Sequence, residues 1–86
     1  MSFVNIGFGN MIHTDKVIAM ITPDSAPAKR MVQKAREEGC LVDATQGRKT
    51  KAVIVTEHKI VLSALLPETI AGRSRMQPAE KEDALL

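Results

Sequence analysis

Three cations fall within four residues at Arg48, Lys49 and Lys51, directly after a Gln46-Gly47 pair and before the β-branched run Val53-Ile54-Val55. Cations crowded on one short loop can neutralise a phosphate backbone and release its counterions, so a polyanion backbone is one natural partner for them. The competing account is a solvated tip whose charges serve solubility. Gly47-Arg48-Lys49-Thr50 approaches the end of a phosphate-binding loop but fails the pattern. That motif needs Lys directly after its last Gly and a helix next, where a strand is expected here.

Other chemistry finds little footing. His13, His58 and the single Cys40 have no paired metal-ligand spacing. The two histidines read as turn residues, and Cys40 as a small buried hydrophobe following a helix. Gly7-Phe8-Gly9 lacks the third Gly and the helix of a dinucleotide fingerprint, so its glycines suit a bulge or a close backbone approach. Asp15, Asp24, Asp43, Glu57 and Glu68 show no acid/base pairing. We therefore expect no enzyme, no cofactor, no metal ion and no small-molecule substrate.

The cations need elements to hold them. Leu41–Val55 reads as two strands around a tight turn at Gln46-Gly47, where Gly47 supplies the freedom for positive φ. Earlier in the chain, Phe3–Asn10 begins as a strand with Val4, Ile6 and Phe8 on one face, and His13-Thr14-Asp15 forms a turn. Lys16–Thr22 is apolar on both faces, which predicts a central or doubly covered strand opened by a cation, Lys16.

Asp24 or Ser25 can cap a helix over about Ala26–Glu38, with Pro27 in its first turn and Gly39 just past its end. Ala28, Met31, Val32 and Ala35 form its buried stripe, flanked by Lys29 and Arg36 on one side. Arg30 and Lys34 fall toward the other. Glu57-His58-Lys59 separates a β-branched strand over Ala52–Thr56 from a last strand over Ile60–Leu65. Pro67–Ala71 makes a short helical turn stopped by Gly72. The fold class is therefore α+β: a small, mostly antiparallel sheet of about five strands with one main helix and a short C-terminal helical turn.

At 86 residues the chain is one domain, close to the size at which a core barely carries a fold. Phe3 and Phe8 are its only aromatics, so burial must come from many aliphatic side chains and oligomerisation is a natural remedy. Near-absence of stacking platforms also favours duplex over single-stranded partners. Residues 1–78 hold eleven Lys/Arg against seven Asp/Glu, whereas 79–86 hold Lys81 against Glu80, Glu82 and Asp83. The body of the domain is thus more basic than the total charge of +2 implies. One cysteine allows no internal disulfide, and no stretch reads as a signal peptide or membrane span. A cytoplasmic protein with no membrane partner is expected.

Three runs carry a family resemblance: Asn5-Ile6-Gly7-Phe8-Gly9-Asn10, Thr22 to Arg30, and Leu41 to Val53, with Leu62-Ser63 and Pro67-Glu68-Thr69 adding to them. They closely resemble the RemA-like proteins, small bacterial DNA-binding regulators that activate biofilm extracellular-matrix genes. The resemblance spans about residues 3–72. It implies an α+β subunit, related in shape to LytTR-type DNA-binding domains, that assembles into a ring whose periphery contacts and bends double-stranded DNA.

By that resemblance the DNA-binding residues are Arg48, Lys49, Lys51 and Lys16. Lys stands at 49 and 51 where arginine is common in the family. Lys is a point charge without the guanidinium fork, which suits phosphate better than base edges. The expected organisation is a DNA-binding domain over 1–75 and a loose tail over 76–86, in a homo-oligomer of more than two subunits associated with the nucleoid. The rival is an architectural or scaffolding ring without sequence-specific DNA binding.

Overall fold

The computed structural model describes residues 2–74. The boundary expected at residue 75 and the tail expected over 76–86 lie outside the described residues. Within them the chain is α+β, with strands β1 (Phe3–Asn5), β2 (Met11–His13), β3 (Val17–Ile21), β4 (Leu41–Asp43), β5 (Ala52–Thr56) and β6 (Ile60–Ser63), and helices α1 (Ala26–Glu38) and α2 (Pro67–Ser74). No helix among the described residues is long and apolar enough to cross a membrane.

The strands form two sheets rather than one: a hairpin β1-β2, and a four-stranded sheet in the order β3-β5-β6-β4. β3 and β6 both pair antiparallel with β5, but β4 runs parallel to β6 through Leu41↔Ile60, Val42↔Val61 and Asp43↔Leu62. The expected hairpin around Gln46-Gly47 is therefore corrected. β4 and β5 do not pair; β6 lies between them, and the basic loop crosses over its end. Both loop ends are tied to β6, since Ala44 N–H donates to the Leu62 carbonyl (3.0 Å) and Lys51 N–H to the Ser63 carbonyl (2.8 Å). β6 wins the middle because every one of its residues is buried.

β3 was the strand expected at the centre or under double cover, yet it stands at the sheet edge with Ile18 65% exposed. β5 holds the interior place instead, its Ala52, Val53 and Ile54 at 0–1% exposure.

Period-two alternation sorts the sheet's side chains into two cores. Ala52, Ile54 and Val61 face one way and pack with Val4, Ile6, Ile12, Ala44 and Ile70 beneath the β1-β2 hairpin and α2. Val53, Ile60 and Leu62 face the other way, against Ala35 with Met31, Val32, Ile21 and Leu41 under α1. Ala28 and Ala35 of the expected helix stripe are buried, while Met31 and Val32 are half-buried.

α1 has the expected bounds because both of its ends are chemically marked. Ser25 Oγ accepts from Ala28 N–H (3.2 Å), and Pro27 occupies the first turn, where its missing N–H costs nothing. At the other end Gly39 turns left-handed (φ 75°), with Cys40 N–H on the Ala35 carbonyl and Gly39 N–H on Arg36, the Schellman pattern.

Two further expectations are corrected. β1 stops at Asn5, where a strand running on toward Asn10 was expected, and Gly7, Phe8 and Gly9, all at positive φ, turn the chain back into β2. The turn expected at His13-Thr14-Asp15 follows it, as a single 3-10 turn over Thr14–Lys16. α2 runs through Gly72 to Ser74. A helical Gly costs about 1 kcal/mol relative to Ala, and burial of Ile70 at 4% exposure offsets it.

Candidate nucleic-acid interface

The basic loop, residues 44–51, is built before its charges appear. Asp43 Oδ1 accepts from Thr45 Oγ1 (2.6 Å) and Thr45 N–H (2.9 Å), which folds the chain sharply out of β4 with Thr45 only 3% exposed. Arg48 N–H then donates to the Thr45 carbonyl (3.0 Å) across Gln46 and Gly47, both at positive φ (56° and 78°), the signature of a type I′ turn. The tight turn expected at Gln46-Gly47 is present, although the strands it serves are not partners.

The Thr45 hydroxyl, then the Thr45 N–H, holds the Asp43 carboxyl below its ordinary value; desolvation opposes them and Arg36 adds a smaller lowering. A depressed carboxyl stabilises above its unfolded value and loses that stabilisation as pH falls through its folded one. The turn is therefore at full strength at neutral pH.

Beside this loop lies an open groove of about 580 Å³, lined by Asn5, Gly7, Phe8, Arg48, Lys49, Lys51, Ala64, Leu65 and Arg73. Four segments meet there: the β1-β2 turn, the basic loop, the connection from β6 to α2, and α2 itself. Ser63, fully buried, joins the first to the sheet, its Oγ donating to the Ile6 carbonyl (2.7 Å) and accepting from Leu65 N–H (3.0 Å). The floor is apolar, from Ala64 and Leu65. The rim carries four exposed cations and, among the described residues, no carboxylate. The Arg48 guanidinium carbon sits 5.8 Å from the centre of the Phe8 ring, within cation–π range. Arg73 Nη1 donates to the Asn5 carbonyl (2.8 Å).

Of the four residues singled out from sequence, Arg48, Lys49 and Lys51 share this groove and Lys16 does not. Lys16 precedes Val17, which pairs with Thr56, whereas Lys51 precedes Ala52 at the opposite end of β5. The helix cations Lys29 and Arg36 border a separate hollow of about 330 Å³ together with Pro23, Val32, Gln33 and Thr50.

Arg73 escaped sequence reasoning because Gly72 reads as a helix stop. Yet Arg73 stands three residues after buried Ile70, so a helix continued past Gly72 would aim it at β1. Phe8 escaped because alternation placed it with Val4 and Ile6. The flanking Gly7 and Gly9 were the signal that the strand register ends before it.

The profile of the RemA-like family, described as extracellular matrix regulatory protein A-like, matches residues 3–74. A protein of Alkaliphilus metalliredigens is 51% identical over 83 residues, covering 95% of this chain and 89% of that one. One from Geobacillus thermodenitrificans is 54% identical over 74 residues, covering 85% of each chain. One from Microcystis aeruginosa is 53% identical over 74 residues, 85% of this chain and 83% of that one. All three bear the name "Putative regulatory protein". A profile that takes in both the basic loop and the strands holding it, backed by relatives of matching length, places this chain in the RemA-like family.

Proposed function

We propose that this chain is a DNA-binding transcription regulator of the RemA-like kind, an activator of matrix genes, that grips duplex DNA through this groove. Arg48, Lys49, Lys51 and Arg73 on one rim, with no carboxylate among the described residues to offset them, carry the reading. Four like charges gathered on one open surface suit a polyanion that neutralises all of them. Only two of the four are arginines, so phosphate contacts dominate and base reading is limited.

One groove on one subunit binds weakly; repetition around a homo-oligomeric ring multiplies it through effective concentration. Exposed Ile18 on β3, whose outer edge has no partner strand among the described residues, supports burial against further copies, as do Phe3 and Met11, both more than half exposed. Light scattering at micromolar concentration should report more than two subunits; a folded monomer would remove the avidity on which the affinity depends. Regulation in the cytoplasm, on the nucleoid, completes the proposal.

The test is duplex binding at two salt concentrations with a promoter fragment and a scrambled fragment. The observed constant should fall with salt at a log–log slope of about −0.9 per phosphate contacted. Absence of salt-dependent binding would overturn the reading. Equal binding to both fragments would favour the architectural ring, the second reading that the two lysines at 49 and 51 support.

A further inference from the structure

The two arginines of the groove come from segments far apart in sequence, and both are held by the β1-β2 turn. Arg48 lies over the Phe8 ring at 5.8 Å, and Arg73 donates to the Asn5 carbonyl at 2.8 Å. That turn is built for display. Asn5 Oδ1 accepts Gly7 N–H (2.7 Å), Asn10 Nδ2 donates to the Gly7 carbonyl (2.9 Å), and Ile6 N–H and the Asn10 carbonyl close the base (2.9 Å). Phe8, a bulky residue at φ 54°, is held where few side chains settle, and half of it stays exposed. A strained aromatic kept out of the core needs a reason beyond packing. Here its face carries a guanidinium.

Resting on the duplex-binding reading, we propose that Arg73 is a fourth phosphate-binding cation of the groove. We further propose that the turn, through the Phe8 ring and the Asn5 carbonyl, is the positioning device that holds both arginines ready for the DNA backbone. Arg73 has N–H groups to spare. One Nη1 bond to Asn5 anchors the guanidinium at one corner and leaves its other donors for an incoming phosphate. Phe8 holds Arg48 without using any of its donors, since a cation over a ring keeps its edge free. Both arrangements reduce the side-chain freedom lost on binding, which is how preorganisation raises affinity.

The experiment compares salt slopes and affinities of full-length variants on one labelled duplex, with oligomer mass and circular dichroism measured for each. Arg73→Gln keeps an amide donor for the Asn5 carbonyl and removes the charge. Its slope should flatten by about 0.9 for each subunit that the duplex engages. Arg73→Lys should keep the slope. Phe8→Leu keeps apolar bulk without the ring, so every cation remains and the slope should hold while affinity falls a few-fold per engaged subunit. Phe8→Tyr should restore it. A merely structural Arg73 predicts wild-type slope in Arg73→Gln, and a merely space-filling Phe8 predicts wild-type affinity in Phe8→Leu; either result overturns its half of the proposal. Failure of the wild type itself to bind in a salt-dependent way would overturn the duplex-binding reading and this inference together.

Discussion

Duplex binding should fall below detection at near-physiological salt when Arg48 and Lys49 are both replaced by alanine, with circular dichroism and oligomer mass unchanged. Both side chains are exposed, and neither pairs with a carboxylate among the described residues. The loop's shape rests on the Asp43–Thr45 bonds, the Gln46-Gly47 turn and the two ties to β6, none of which uses a cation side chain. The fold loses only the Arg48–Phe8 contact, worth about 0.5–1 kcal/mol at an exposed site. Binding loses two phosphate contacts in every engaged subunit, and each should flatten the slope of log K against log salt by about 0.9. Lys49→Arg alone should keep or tighten binding, because a guanidinium can grip phosphate through two bonds where an ammonium offers one charge. Wild-type affinity and slope in the double variant would make the loop an ornament. Lys16 at the far end of β5, or Lys29 and Arg36 on α1, would then become the better candidates.

The legible parts of this chain were those with local chemistry. α1 is bounded by Ser25, Pro27 and Gly39, and each acts through bonds within a few residues, so the helix can be read before any tertiary contact is known. The Gln46-Gly47 turn was equally local. What failed was pairing. Nothing within Leu41–Asp43 records that its partner is Ile60–Leu62, about twenty residues on, rather than the nearer Ala52–Thr56. That choice follows from filling both faces of β6 at once.

β3 misled for a related reason. Its apolar residues on both faces read as a buried centre, but Ile18 is exposed on the sheet edge. In the site, Arg48, Lys49 and Lys51 could be found because adjacent charges on one loop are bound to meet. Arg73 and Phe8 join them only through contacts spanning 68 and 40 positions, which depend on how Ser63 docks the hairpin.

That docking bond should be the most costly single hydrogen-bond group to remove. Ser63 is fully buried; its hydroxyl donates to the Ile6 carbonyl at 2.7 Å and accepts Leu65 N–H at 3.0 Å. Ser63→Ala removes one small atom, so the cavity contribution is minor. It leaves a carbonyl and an N–H without partners, one of them deep between hairpin and sheet, and each orphaned group costs about 1–3 kcal/mol. We expect a loss of roughly 2–3 kcal/mol, a substantial part of the total stability of so small a domain. In a domain of this length that corresponds to a fall in Tm of roughly 10–20 °C.

Ser25→Ala supplies the yardstick, because it removes a serine hydroxyl at an exposed cap and should cost about 1 kcal/mol. Both variants must be melted at one protein concentration, since assembly makes Tm concentration-dependent. The groove should register the difference as well. Ser63→Ala loosens the hairpin that carries Asn5, Gly7 and Phe8 along one wall, so duplex affinity should drop with the salt slope preserved, whereas Ser25→Ala should leave binding alone. If Ser63→Ala melts no lower than Ser25→Ala, the hairpin is held by Val4, Ile6 and Ile12 in the core rather than by the hydroxyl, and the wall of the groove does not depend on it.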